Sequence, residues 1–163
     1  MAVYRANPRD LQKYGPRLEV EVGPPILRTA QGFISPGPSG GQRRFYRLPA
    51  LIDTGAGRTV LTPEAISVVG LSKVDVTRLL RAGGISDNAG VYVAAMQFPR
   101  YKLATIEVIQ VVSCELPEQP FQCLLGRDVL SRWLFTYNGP RTEWTIQEED
   151  VASWVLPPEG IDT

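Results

Sequence analysis

Ala50-Leu51-Ile52-Asp53-Thr54-Gly55-Ala56 is the stretch of the sequence that says most about the fold. An apolar run followed by a carboxylate and small residues is typical of a buried strand that ends in a tight turn. Gly55 can adopt backbone angles that other residues avoid, and it lets a second chain approach closely. Its N–H is well placed to bond the Asp53 carboxylate. Taken alone, the triplet favours an ordinary turn that begins with aspartate, because such turns are common after strands.

The composition fits one folded domain with a core. The chain has 163 residues, of which 44% are hydrophobic and 21% charged, and both fractions are ordinary for a globular protein. Seventeen basic residues balance seventeen acidic ones. Charge therefore offers no argument for nucleic acid or an anionic membrane as a partner, and we expect neither.

The absence of histidine excludes several kinds of site. A chain without histidine has no Ser-His or Cys-His catalytic pair and no histidine-ligated metal. Cys114 and Cys123 are the two cysteines, and they form neither a CxxC pair nor a four-thiolate zinc site. A disulfide between them stays open, but two reduced, half-buried thiols are favoured. We expect no metal and no cofactor.

The sequence carries no membrane or export signal that we recognise. The amino-terminal residues MAVYRANPRDLQKYGPR lack the apolar stretch of a signal peptide. No window approaches the ~18 apolar residues of a spanning helix. We expect a soluble, cytoplasmic protein.

Short strands dominate the predicted secondary structure. Fourteen prolines and fifteen glycines interrupt the chain, and long helical patterns are missing, which favours an all-β or mainly β domain with one or two short helices. Strands are predicted at 18–22, 45–52, 74–81, 90–98, 105–112, 134–137 and 143–146, with a short buried segment at 121–125. Helical turns are predicted after Thr62, which precedes Pro63 and would cap a helix that stops at Gly70, and within 127–133.

The remaining segments are predicted to connect these elements or to flank them. Residues 34–43 have the composition of a flexible surface loop, and 82–89 join two strands of a hairpin. Asn138-Gly139-Pro140 is a hairpin turn signal. The predicted organisation is a loosely held arm at 1–16, one domain at 17–147 and a carboxy-terminal tail at 148–163.

A second motif changes the interpretation of the first. Cys123-Leu124-Leu125-Gly126-Arg127-Asp128-Val129-Leu130 begins seventy residues after Asp53. The sequence from 45 to 135 resembles the retropepsin family of single-domain aspartic proteases. The resemblance rests on Leu51 to Ala56 followed by Thr59-Val60-Leu61, on Gly83-Gly84-Ile85, and on Leu124 to Leu130, in this order and at this spacing. It implies a closed β-barrel that forms one lobe of the protease per chain.

The resemblance also implies catalytic roles. Asp53 would be the catalytic carboxylate, Thr54 would make interlocking hydrogen bonds across a dimer axis, and Gly55 would bind the substrate backbone. Because the triplet occurs once per chain, a second copy must supply the other aspartate. The expected partners are therefore a polypeptide substrate and a second copy in a homodimer.

Substrate contacts are assigned by the same resemblance. Residues 83–90 would form a flap over the peptide, and the substrate-binding set would comprise Ala56, Gly83, Gly84, Ile85 and Phe121. Ile85 and Phe121 are candidates for pocket walls, although burial in the core is the more common fate of such side chains. Leu124-Leu125-Gly126 would form an apolar bed under the catalytic turn.

One departure from the viral members concerns the residues after the triplet. The viral relatives carry an aspartate that pairs with the arginine of the Gly-Arg motif, whereas Gly57 stands at that place here. Arg127 then lacks that partner, and Arg58 could instead lie near Asp128.

The leading functional hypothesis is an aspartic endopeptidase that prefers hydrophobic residues around the cut. One alternative is a catalytically silent retropepsin-like module that binds peptides or dimerises. Another is an unrelated β-barrel that binds a ligand and uses the triplet only as a turn.

Overall fold

The computed structural model describes residues 2–5, 8–25, 27–29, 32–34, 43–80, 84, 86–116 and 119–148. This part of the chain is mainly β, as predicted, with three short helices. The strands are β1 (Ala2–Arg5), β2 (Arg17–Gly23), β3 (Leu27–Thr29), β4 (Gly32–Ile34), β5 (Tyr46–Ile52), β6 (Val60–Leu61), β7 (Lys73–Leu80), β8 (Ser86–Phe98), β9 (Leu103–Ser113), β10 (Cys123–Leu125), β11 (Trp133–Asn138) and β12 (Glu143–Glu148). The helices are α1 (Pro8–Tyr14), α2 (Pro63–Val69) and α3 (Arg127–Leu130).

Six strands close into a barrel. They follow the order β2-β5-β10-β6-β9-β8, and β8 pairs again with β2 through Val22 and Met96. The β5–β10 and β6–β9 pairs are parallel, and the other pairs are antiparallel. Closure leaves no unpaired edge within the ring. The predicted closed β-barrel is confirmed.

Three further pieces lie around the barrel. Strand β7 extends the sheet beyond β8, so it forms a hairpin outside the closed ring. Strands β1, β12 and β11 form a separate antiparallel sheet. Strands β3 and β4 form a two-stranded hairpin.

Apolar side chains from the barrel, the helices and the outer sheet share one core. The largest fully buried side chains are Phe98, Leu61, Met96, Leu125 and Ile146. The ring of Phe98 meets Trp133 edge-on at a centroid distance of 4.7 Å, a favourable geometry for an aromatic pair. The outer sheet is therefore joined to the barrel by packing.

Local signals in the sequence predicted several boundaries well. Thr62 accepts a hydrogen bond from the Ala65 N–H and caps α2, and Gly70 ends that helix with φ of +75°. Helix α3 lies within the predicted 127–133. The hairpin around Asn138-Gly139-Pro140 joins β11 to β12. The predicted flexible loop lies almost wholly outside the described residues, as do residues 149–163 of the predicted tail.

The prediction of a loosely held arm at 1–16 was wrong for the described residues. Strand β1 pairs with β12 along its length, and α1 buries Leu11, which is 3% exposed, in the core. The backbone carbonyl of Pro16 accepts from the N–H of Ile52 at 2.9 Å. Helix α1 buries Leu11 alone, and one buried side chain on so short a helix gives no amphipathic periodicity in the sequence.

The predicted connection between the hairpin strands was too long. Strand β8 begins at Ser86 and pairs with Leu80 of β7, so residues 81–85 join the strands. Asp87 and Asn88, which are exposed, therefore lie within β8, although Asp and Asn are depleted in strands. None of the helices in the described ranges has the length and apolar character needed to cross a bilayer.

Candidate active site

Asp53 directly follows the last residue of the barrel strand β5. Strand β5 runs parallel to β10, with Leu51 opposite Leu124, and β10 is inserted between β5 and β6. The N–H of Asp53 donates to the carbonyl of Leu125 at 3.0 Å. The last hydrogen bond of the parallel pair therefore fixes the backbone of the candidate catalytic residue.

The turn after Asp53 folds back onto its carboxylate. Oδ1 accepts from the N–H of Gly55 at 2.9 Å and from the N–H of Ala56 at 3.3 Å. A side chain at position 55 would place its Cβ 3.1 Å from that oxygen, so glycine leaves room for the carboxylate. The second oxygen, Oδ2, accepts no hydrogen bond from the described residues. The turn thus holds one of the two carboxylate oxygens.

Residues Gly126, Arg127 and Asp128 hold the segment after the turn. The N–H of Gly126 donates to Thr59 Oγ1 at 3.2 Å, and the N–H of Arg127 donates to the Ala56 carbonyl at 2.9 Å. Asp128 accepts from the Thr59 N–H at 2.9 Å and from its hydroxyl at 2.7 Å. Asp128 therefore bonds Thr59, the residue that follows Arg58.

Arg127 has backbone partners where a carboxylate was missing. Its Nη1 donates to the carbonyl of Thr54 at 2.9 Å and to that of Gly55 at 3.3 Å. Thr54 and Gly55 are exposed, so the guanidinium binds a turn at the surface. The sequence identified the missing aspartate at Gly57 but could not show these substitutes.

An open cleft of about 870 Å³ lies beside the turn. Its lining combines the turn at 53–58, the hairpin strand β7 and the segment after β9. It comprises Asp53, Gly55, Ala56, Gly57, Arg58, Val60, Thr77, Arg78, Leu79, Leu80, Val112, Cys114, Glu115, Leu116 and Leu124. The structure therefore brings the predicted Asp53, Gly55 and Ala56 together in one cleft.

The other predicted site residues that the structure describes are not among those that line the cleft. Thr54 is exposed on the turn beside the cleft. Gly84 is exposed between the hairpin strands with φ of +81°, a conformation that favours glycine. Gly83 and Ile85 lie outside the described residues. Phe121 is buried, with 5% of its surface exposed, and it is absent from the residues that line the cleft.

Sequence reasoning missed the cleft residues of β7. Thr77 and Leu79 are less exposed than their neighbours on that strand, because alternate residues of a strand face one side. The sequence does not show this alternation, because the apolar residues Val74 and Val76 of the same strand are exposed. Only the pairing of β7 with β8 places Thr77 and Leu79 over the turn.

The thiols contrast in environment. Both cysteines are free, and Cys114 lines the cleft. Cys123 is fully buried on β10, and burial raises the pKa of its thiol far above the ordinary value, with a smaller contribution in the same direction from Asp128. No group of three or more Cys, Asp or Glu side chains suited to a metal ion occurs in the described ranges.

The chain is similar to known proteins. The family model described as "gag-polyprotein putative aspartyl protease" matches residues 45–132, more than half of the 163 residues. The crystal structure of a retropepsin-like aspartic protease from Rickettsia conorii is similar at 22% sequence identity and a TM-score of 0.45, covering 77% of this chain and 90% of that chain. No curated protein matches significantly.

Proposed function

Because this chain belongs to the retropepsin-like family of aspartic proteases, we propose that it is an aspartic endopeptidase in which the Asp53 side chains of two copies form the catalytic pair. The observation that carries the proposal is the state of the Asp53 carboxylate. One oxygen accepts two backbone hydrogen bonds, the other accepts none from the described residues, and the group lines an open cleft.

Two copies are required by the chemistry. Peptide hydrolysis without a metal or a histidine needs one carboxylate to take a proton from water and one carboxyl group to donate to the scissile carbonyl. Two carboxyls at such short range share one proton, because both cannot stay ionised. The DTG triplet occurs once in this chain. A two-fold axis beside Asp53 supplies the second group.

The lining of the cleft supports an extended, partly apolar peptide as the substrate. Leu79, Leu116 and Leu124 contribute apolar surface beside Asp53. An extended peptide presents side chains alternately to the two walls of such a cleft, and backbone hydrogen bonds supply affinity without sequence preference. We therefore expect cleavage between hydrophobic residues.

The decisive experiment replaces the Asp53 carboxylate with an uncharged amide of nearly the same shape. Asp53→Asn should abolish cleavage of a denatured protein mixture, as followed by mass spectrometry of the products, while circular dichroism and the thermal midpoint stay near those of the wild type. Asp10→Asn makes the same change at a half-exposed residue of α1, and it should retain activity. Wild-type protein that binds such peptides without cutting them would identify a silent module and end the proposal.

The pH profile and an inhibitor test the shared proton. Activity should favour acidic or mildly acidic solution, because the pair works with one proton bound and loses it as the pH rises. Pepstatin should block cleavage. A rate that keeps climbing above neutral pH would argue for a different mechanism.

A further inference from the structure

Two peptide groups connect Arg127 to the Asp53 carboxylate. The Thr54–Gly55 peptide group has its carbonyl on Arg127 Nη1 at 2.9 Å and its N–H on Asp53 Oδ1 at 2.9 Å. The Gly55–Ala56 peptide group repeats the arrangement at 3.3 Å on each side. A peptide group is planar and rigid. Fixing the carbonyl end therefore fixes the direction in which the N–H end points.

The charge of Arg127 adds to this mechanical effect. A guanidinium that donates to a carbonyl polarises the peptide group, and the N–H at its other end becomes a stronger donor. Both N–H groups donate to the same carboxylate oxygen. Arg127 therefore acts on Asp53 without touching it.

Position 57 controls whether the guanidinium is available. A Cβ built at Gly57 would lie 3.6 Å from Arg127 Nη2, so a carboxylate at this position would reach the guanidinium. A charge-assisted pair with an acidic side chain would compete with the two neutral carbonyls. Glycine at position 57 avoids that competition.

We propose that Arg127 is a positioning residue of the catalytic turn, that it acts through the Thr54 and Gly55 peptide groups, and that an uncharged residue at position 57 keeps it there. The inference rests on the proposed function, since it assigns Asp53 the catalytic role. The proposed link runs from Arg127 to Asp53 through backbone peptide groups, which differs from a carboxylate–arginine pair.

The first experiment measures kinetics on one peptide chosen from the digest. Arg127→Met should lower kcat by about tenfold or more, the effect of losing a charge-assisted hydrogen bond, with KM changed less than about threefold. Arg127→Lys should recover part of kcat, because it keeps a charged donor. Arg141→Met changes an exposed arginine in the β11–β12 turn and should match the wild type. Sedimentation at the assay concentration should show the same oligomeric state for all variants.

The second experiment varies charge at constant size. Gly57→Asp should lower kcat by about threefold or more relative to Gly57→Asn, because only the aspartate attracts the guanidinium. This pair stays informative if Arg127→Met fails to fold. Equal kcat values for the two position-57 variants, or wild-type kcat in Arg127→Met, would overturn the proposal.

A third measurement does not depend on activity. In Arg127→Met and Gly57→Asp, amide hydrogen exchange by NMR should speed up at Gly55 and Ala56 but not at Val20 in the barrel strand β2. Unchanged exchange at both amides would refute the positioning role even if the wild type cleaves peptides. Faster exchange in an enzyme that shows no cleavage would support the link while the proposed function fails.

Discussion

At the scale of single residues, the site depends on close backbone approach as much as on side-chain chemistry. Gly126 lies against the backbone of Arg58, where an added Cβ would be 2.5 Å from the carbonyl carbon and 2.6 Å from the oxygen. Backbone atoms cannot swing aside as the end of a flexible side chain can. The glycine of the second motif is therefore required by space, and it lets the two motifs dock.

Gly126→Ala should destabilise the protein strongly. Overpacking against backbone costs about 1–3 kcal/mol or more in the free energy of unfolding, which urea denaturation measures from the shift in midpoint. Gly57→Ala is the matched control, because its nearest contact would be an ordinary 3.6 Å, and its effect should stay within about 0.5 kcal/mol. Equal stabilities for the two variants would show that the loop relaxes freely around Gly126.

The buried thiol of Cys123 should make the free energy of unfolding fall at alkaline pH. Burial raises the pKa of its thiol, so the folded state keeps the proton while the unfolded thiol ionises near its usual value of about 8.5. The contribution of the protonated thiol to the free energy of unfolding is complete below the pKa of the unfolded thiol. It is lost as the pH rises above that pKa, at up to about 1.4 kcal/mol per pH unit. Unfolding free energies measured from pH 7 to 10 should fall less steeply in Cys123→Ala than in the wild type.

At the scale of elements, the insertion of β10 between β5 and β6 builds the site. The proposed catalytic turn, residues 53–59, leaves the barrel after β5 and returns to it at β6, and β10 runs between these two strands with α3 following directly. Residues of α3 can then bond the residues between β5 and β6. Parallel pairing requires a long connection between the two strands, which explains why the two motifs lie far apart in sequence.

The amino-terminal helix belongs to the same cooperative unit. Leu11→Ala should lower the free energy of unfolding by about 2–5 kcal/mol, as expected for a leucine removed from a core. Gln12→Ala changes the adjacent exposed residue and should have an effect below about 0.5 kcal/mol. A negligible effect of Leu11→Ala in thermal and urea unfolding would restore the interpretation of residues 1–16 as a loosely held arm.

At the scale of the whole molecule, each chain supplies one Asp-Thr-Gly triplet. The barrel is complete without a partner, since its six strands close on themselves. The proposed active site is not complete, because it needs a second Asp53. Folding and catalysis therefore make different demands on association, and a folded but inactive monomer is expected at high dilution.

Mixing copies tests this expectation. When equal amounts of Asp53→Asn and wild type exchange subunits, random pairing leaves about half of the original activity, since a symmetric dimer needs both carboxyls. Adding the same amount of Asp10→Asn should instead raise the activity. Full retention of activity after mixing with Asp53→Asn, under conditions where labelled subunits exchange, would show that one chain cuts alone.

The sequence by itself determined the mainly β character, the caps of α2, the hairpin turn at 138–140 and the family. These depend on local chemistry, such as the fixed φ of proline, the hydroxyl of Thr62 and the small residues after Asp53, or on two motifs with diagnostic spacing. Tertiary structure alone decided that Leu11 joins the core, that Asp128 bonds Thr59 and that Arg127 grips the Thr54 and Gly55 carbonyls. Each of these contacts joins residues that are distant in sequence. Alternation and turn preference are local properties, so they do not say which distant residues will be in contact. Only the order of strands around the barrel supplies it.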